Sequence, residues 1–376
     1  MKVLTAQCTL VGLLLFCSSS FSQKTISQIK FIDKYVIPHN LIYKKTTVGG
    51  LSGIDYNPKK EEYFLISDDR SDINPARFYT AKILFNGSRI DTVMFTGMHF
   101  LLQQNGAYYP NKKQDKQNTP DPESIRYNAT TNELIWTSEG ERIVTAEDTV
   151  LASPTINIIT ANGLLTDSIP IPTNLYMHAT AWGPRRNGVL EGGTFNKEFT
   201  KYYTNVEEPL YQDGERADTK PNNAWIRIYE FNVSTKKHTA EYAYHLDPIP
   251  YAANPPDAFK INGIPDILWL NEKQLIVLER AFSTGRQQCT IKVFLADMDG
   301  ATNVSNYESL KKDTAFKPMQ KKLLLNMDDL GFFVDNIEGV TFGPTLPNGH
   351  ASLIFIADDN FSEAEQSQVL LFEVIP

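Results

Sequence analysis

Apolar and polar residues alternate along the chain in short runs rich in β-branched and aromatic side chains, bounded by Pro, Asn and Gly turns, the pattern of half-buried strands. One unit of this pattern occurs five times. Each copy opens with a small or acidic residue inside an apolar strand, passes a turn, and continues into a second β-rich run that ends in acids. The copies start at Gly50-Leu51-Ser52-Gly53-Ile54, Pro122-Glu123-Ser124-Ile125, Leu190-Glu191-Gly192-Gly193, Ile264-Pro265-Asp266-Ile267 and Ile337-Glu338-Gly339-Val340. Aligned on Ser52, Glu123, Glu191, Asp266 and Glu338 they lie 71, 68, 75 and 72 residues apart, a regularity that marks a repeat architecture.

Four units each predict a four-stranded antiparallel meander. The strands are expected at 52–56, 63–67, 77–85 and 90–95; at 124–127, 133–137, 155–160 and 164–171; at 192–195, 201–205, 225–232 and 239–245; and at 267–270, 274–278, 290–295 and 321–326. Turns such as Asn57-Pro58, Asn86-Gly87 and Ala161-Asn162-Gly163 separate them. The fifth unit has strands only at 339–342, 353–357 and 369–374. An unrepeated strand at 26–37 supplies the missing one. The expected fold is therefore all-β, a β-propeller of five blades closed by its N-terminal strand. The alternative is six blades, the sixth lying within 97–121, 246–263 or 301–318, which carry Pro, Asn and Lys and otherwise read as surface loops.

Lys2, an apolar run through Phe16 and the small residues Ser18 to Ser22 have the layout of a secretory signal peptide over residues 1–22, leaving one propeller domain over 23–376. Export to the periplasm or the cell exterior follows. Lipid anchoring at Cys17 is disfavoured because the large Phe16 precedes it. Only Cys289 remains after the leader, so the mature chain has neither an intrachain disulfide nor a thiolate metal site, and an inert buried role is expected for it. A net charge of −8 with scattered Lys and Arg argues against nucleic acid and against a polybasic membrane anchor, and no other run reaches transmembrane length.

In a propeller the start of each innermost strand and the loop after the second strand share one face of the disc. The acids fall in those two places: Glu123, Glu191, Asp266 and Glu338 at strand starts, and Asp68-Asp69, Glu139 with Glu141, Glu207-Glu208, Glu279 and Asp358-Asp359 after second strands. That many carboxylates around one mouth would repel one another unless a cation sat among them, and hard oxygen ligands favour Ca²⁺, with Mg²⁺ or Mn²⁺ as alternatives. Arg70, Arg77, Arg142 and Arg280 stand beside the same loops and suit an anionic ligand. Against this stand two plainer readings: acid-rich turns that are merely solvated, and a structural cation that ties blades together. The Gly50-Leu51-Ser52-Gly53 run departs from a nucleophile elbow, and the histidines lack metal-ligand spacing.

The motifs Gly49-Gly50-Leu51-Ser52-Gly53, Ser67-Asp68-Asp69-Arg70, Asp121-Pro122-Glu123-Ser124, Ser138-Glu139-Gly140, Glu208-Pro209-Leu210, Leu278-Glu279-Arg280, Asn336-Ile337-Glu338-Gly339 and Asp358-Asp359-Asn360-Phe361 together resemble the phytase-like family described by esterase-like activity of phytase. The resemblance spans nearly the whole mature chain and implies an exported propeller that hydrolyses phosphate esters. One departure is Gly193, where an apolar residue is usual, which puts the packing of that strand in question. The reading that combines both lines gives catalysis to Glu123, Glu191, Asp266, Glu338 and Glu279, metal binding to Asp68, Asp69, Glu139, Glu208, Asp358 and Asp359, and recognition of a small phosphorylated substrate to the four arginines. The rival is a non-catalytic, calcium-stabilised propeller that binds a ligand or partner protein at the same mouth.

Overall fold

The computed structural model describes residues 26–376, so the leader reading of residues 1–22, with the anchoring alternative at Cys17, lies outside the described residues. Five small antiparallel sheets form a ring, a five-bladed β-propeller. Blade 1 is Leu51–Asn57, Glu62–Ser67, Arg77–Asn86 and Arg89–Phe100, counted from the axis outward. Blade 2 is Pro122–Asn128, Glu133–Ser138, Thr155–Thr160 and Leu165–Ile169. Blade 3 is Leu190–Phe195, Lys201–Val206, Trp225–Asn232 and Lys237–His245. Blade 4 is Ile267–Asn271, Gln274–Ser283, Thr290–Asp297 and Gln320–Asn326.

Blade 5 takes Asn336–Phe342, Ser352–Asp358 and Gln368–Ile375 from the end of the chain and Gln28–Val36 from its beginning. Gln28 pairs with Ile375 and Val36 with Gln368, so one ladder joins the two ends of the described chain and the ring closes as expected. The three long segments build no sixth blade. Residues 101–121 form a loop tied by the Leu102 bridges to Tyr108 and Leu164, and residues 301–318 pack Val304 and Leu310 against Ala243 of blade 3. Three additions lie outside the expected strands: a two-residue pair of Ile42–Tyr43 with Thr46–Thr47 before blade 1, a hairpin of Glu141–Val144 and Thr149–Ala152 above blade 2, and a short strand, Lys260–Gly263, that pairs with the extended second strand of blade 4.

Blades are held by apolar side chains from both faces of each sheet. Leu51, Ile54 and Leu65 of blade 1 meet Ile354, Ile356, Val369 and Leu371 of blade 5, all buried, while Leu268, Ile276 and Leu278 of blade 4 meet Ile337, Val340 and Phe355 on the other side. Period-two alternation gives each strand two apolar faces when both are covered, so the middle strand Ser352–Asp358 is buried throughout.

At the axis the inner strands crowd together. A Cβ on Gly53 would stand 3.1 Å from Ser124 Cα, one on Gly192 2.6 Å from Asp266 Cα, and one on Gly339 3.2 Å from Gly53 Cα. Gly53, Ser124, Gly192, Asp266 and Gly339 are therefore the equivalent residues. This corrects the repeat alignment: Asp266 sits one residue deeper than Glu123, Glu191 and Glu338, and Pro265 takes the acid position in blade 4. Asp266 instead meets Arg126 of blade 2, whose Nη2 lies 2.6 Å from both its carboxylate oxygens. The same guanidinium donates to the carbonyls of Gly193, Ile54 at 2.5 Å and Val340 at 3.1 Å, so one buried side chain bonds to all four other blades. Gly193 leaves no packing defect, because the space of its missing side chain is filled by the Tyr202 ring.

Candidate functional site

The starts of the inner strands and the loops after the second strands enclose a cavity of about 550 Å³ at one end of the axis. Nine carboxylates line it against two guanidiniums, Arg70 and Arg280. Three of the acids converge closely: one carboxylate oxygen from each of Asp121, Glu123 and Glu139 lies within 4.8 Å of the others. Asp121 and Glu123 flank the buried start of the first strand of blade 2, and Glu139 follows its second strand, where Gly140 turns with φ of 76° and lies so close to the Ala152 carbonyl that a Cβ would strike it, so both the turn and the contact require glycine.

Glu191, Glu207, Glu338 and Asp68 continue the ring. Arg280 reaches Glu207 at 2.6 Å, Glu338 at 2.5 Å and Asn336 at 2.5 Å; Arg70 reaches Asp121 and Glu141 at 3.2 Å. The Nε atoms of both arginines are buried without a partner among the described residues.

Burial and mutual repulsion push these acids up together. Asp121 rises to about 7 through burial, with Arg70 opposing and Glu141 adding to the rise; Glu139 rises to about 8 through burial and the charges of Asp121 and Glu207. Burial, then Glu191 and Asp121, raise Glu123 well above the carboxylate range, and burial with Glu139 and Glu207 does the same to Glu191. Asp68 is raised by burial and by Glu338 and Asp121.

The donor set fits a hard cation. Asp68 and Glu123 accept no hydrogen bond at their carboxylates among the described residues, and Asp358, fully buried behind them, has one oxygen with no donor. Anionic oxygens without donors, held this close, are stabilised by a metal ion or by protons.

Other expected site residues are engaged elsewhere. Asp266 is closed on Arg126 and also accepts from Val340 N. Glu279 accepts from Tyr244 Oη, Asp247 N, Asn262 Nδ2 and Lys321 Nζ, outside the cavity. Arg77 is fully buried against Asp69, Tyr79 Oη and Thr47 O, and Asp69 spends its other contacts on the backbone of Asp72, Ile73 and Asn74. Arg142 donates to the carbonyls of His178, Ala179 and Thr180 and lies over the Tyr211 ring. Glu208 turns outward to Arg216 at 2.7 Å, and Asp359 anchors Gly50 N and Phe361 N. Each of these side chains has a hydrogen-bond or ion-pair partner within the protein.

Asp121, Glu207 and Asn336 line the cavity without having been assigned a role from sequence. Asp121 had a signal, since it precedes Glu123 by two residues and strand alternation puts both on one side. Arg126 had none: its partners lie on four other blades.

Among solved structures, the chain is similar to an α-L-arabinofuranosidase from Lactobacillus brevis, at 9% identity and a TM-score of 0.45 over 86% of this chain and 91% of that one. It is also similar to an endo-1,4-β-xylanase from Bacteroides thetaiotaomicron, at 9% identity and a TM-score of 0.42 over 92% of each chain. A gluconolactonase from Xanthomonas campestris gives 9% identity and a TM-score of 0.35 over 94% and 99%. No curated protein sequence matches. The family model described as phytase-like, esterase-like activity of phytase, matches residues 46–361, which include every side chain of the cavity except Glu365. The chain belongs to that phytase-like family.

Proposed function

We propose that the protein is an exported, metal-dependent hydrolase of phosphate esters acting at the acidic mouth. The observation that carries this reading is the Asp121, Glu123 and Glu139 group, with its oxygens within 4.8 Å, bordered by the two cavity-lining guanidiniums of Arg70 and Arg280. Membership of the phytase-like family supports the same reaction class.

In this reading those three carboxylates, with Asp68 beside them, would hold a divalent cation, Ca²⁺ by the hardness and number of the oxygens, Mg²⁺ or Mn²⁺ being the other candidates. A bound cation supplies neutralisation of the phosphate charge and acidifies coordinated water. The chain does the rest. Arg70 and Arg280 offer N–H donors to the non-bridging phosphate oxygens, where charge gathers as the ester opens. A water oxygen bonds to phosphorus and gives one proton to a carboxylate of the cluster while the ester P–O bond breaks, and the leaving alcohol oxygen takes one proton in exchange, so the number of protons on the acids is unchanged over the step. Glu191, whose carboxyl is pushed up by burial and by the charges of Glu139 and Glu207, is the group we assign to give the alcohol its proton. Asn336 and Glu338 hold Arg280 in position. The leader in residues 1–22 would put this activity in the periplasm or outside the cell.

The test is phosphate release by the purified mature protein from phytate and from simple phosphomonoesters, with calcium and with a chelator. Calcium-dependent release is expected, and restoration by Mg²⁺ or Mn²⁺ instead would reassign the ion. No release in any condition from folded protein that still binds calcium would replace the hydrolase by the calcium-stabilised binding propeller.

A further inference from the structure

Blade 4 departs from the other four on the side facing the acidic cavity. Its second strand, Gln274–Ser283, has ten residues where its counterparts have six or seven, and the extra length is paired by Lys260–Gly263, a strand the other blades lack. The register is Ile261 opposite Phe282 and Gly263 opposite Arg280. Because side chains two apart share a face, this ribbon presents Arg280, Phe282, Ile261 and then Phe259 on one face. The burial pattern agrees: Ala281 and Ser283 are buried, whereas Arg280, Phe282 and Ile261 are only partly covered.

All four residues line the cavity, and Phe259, Ile261 and Phe282 form an apolar wall in a lining otherwise made of carboxylates, amides, guanidiniums and the Cys289 thiol. Phe259 is 59% exposed, although its ring centroid lies 6.2 Å from that of Phe282. A large apolar ring left in contact with water beside a charged pocket is a surface available to a ligand. The polar end of this wall is a guanidinium. Phe282 lies two steps along the strand from Arg280, with Ala281 between them, a distance of about 7 Å.

We propose that the Phe259, Ile261 and Phe282 wall is a specificity shelf for the organic part of the substrate, so that the preferred substrates are phosphate monoesters with a flat apolar ring within one or two bonds of the ester oxygen. The shelf rests on the phosphoester reading of the acidic mouth and deepens it. With the phosphate against Arg280, such a ring reaches Phe282 and Phe259, whereas a polyhydroxylated ring puts hydroxyl groups against carbon. The selectivity is modest by nature, since one apolar contact face discriminates by roughly one to two orders of magnitude.

Phenyl phosphate and glycerol phosphate compared as substrates give the test. The kcat/KM ratio of phenyl over glycerol ester is expected to be at least tenfold, and to fall about tenfold in Phe259→Ala with Phe282→Ala combined, mostly through KM. Equal use of the two esters by the unmodified protein, or a ratio unchanged by the double substitution, overturns the shelf. Calorimetric titration with phenylphosphonate and methylphosphonate separates the two proposals, because it needs no turnover. Tighter phenylphosphonate binding that is lost in Phe259→Ala keeps the shelf even where no ester is cleaved, an outcome that removes only the hydrolase. Equal affinity for the two phosphonates in a protein that does hydrolyse esters removes only the shelf.

Discussion

The two ends of the axial channel are built by the same five strands and have opposite chemistry. Where the strands begin, carboxylates surround the 550 Å³ cavity; where they end, Tyr56, Tyr127, Phe195, Trp269 and Phe342 surround one of about 1030 Å³. The aromatic end is the more regular. Each of these aromatics stands three residues after the equivalent axial positions Gly53, Ser124, Gly192, Asp266 and Gly339, one per blade, and Asp55 accepts from Tyr127 N at 2.8 Å and Thr194 from Trp269 N at 2.9 Å in matching fashion. At the acid end the equivalent positions hold Ser52, Glu123, Glu191, Pro265 and Glu338. A repeat free to drift at one end and uniform at the other points to packing where it is uniform and to specialised chemistry where it varies.

Between the two ends lies Arg126 with Asp266, and removing it is the strongest way to break the comparison. Arg126→Leu strips bonds from four other blades and leaves Asp266 buried without its cation. Loss of one partner from such a pair costs about 3–5 kcal/mol, and we expect a loss of about 4 kcal/mol in denaturant titration. Arg126→Leu combined with Asp266→Leu should recover part of that, because no charge is then stranded. A double variant weaker than the single one would mean that the carbonyl contacts, and not the ion pair, hold the axis.

The acid end should carry the chemistry alone. Glu123→Gln keeps the shape but removes an anionic oxygen from the close trio. At least a hundredfold loss in kcat/KM is expected, about 2.7 kcal/mol, with weaker calcium binding by calorimetry. Retention of full activity would take Glu123 out of the centre.

The same end should make stability depend on pH. Glu139 at about 8 and Asp121 at about 7 bind protons more tightly folded than unfolded, where carboxyls titrate near 4. Between those values the folded state holds more protons, so stability falls as pH rises, and their contribution is whole only below the unfolded pKa. Metal-free protein is expected to be less stable at pH 8.5 than at pH 5.5 by about 2 kcal/mol, since one pKa unit is worth 1.36 kcal/mol and relaxation trims the total. Calcium should stabilise more at the higher pH, where the acids are free to ligate. Thermal melts with calcium and with chelator at both pH values check this. A flat profile would show that the cluster is hydrated and uncoupled.

Much of this was legible in the sequence. The repeat near 72 residues gave the blade number, and the missing fourth strand of the last unit gave the closure, because both follow from counting strands. The acid pairs were legible as a group but not singly. In Asp68-Asp69 and Glu207-Glu208 the first residue lines the cavity while the second turns to Arg77 or Arg216, a choice made by loop twist after the strand ends. Asp266 was misaligned by one residue because Pro265 takes the acid position, and in a strand one residue decides which way a side chain faces. Phe259 and the added strand of blade 4 lay inside a segment that composition read as a loop.

The smallest expected effect is at the aromatic end. Trp269 lines the far cavity, its indole N–H is buried without a partner among the described residues, and its backbone N–H is held by Thr194. Trp269→Phe keeps a ring and the backbone bond, so it should leave kcat/KM on a phosphate ester within twofold and cost at most about 1 kcal/mol of stability. The reason is the plug. Asp266, three residues before Trp269, is clamped by Arg126 and by Val340 N, so a small shift of the indole position is absorbed before it reaches Glu123 or Arg280. A tenfold loss of activity without loss of stability would instead show that the axial ion pair transmits strain from one mouth to the other. The channel would then be one coupled site rather than two chemistries on a shared set of strands.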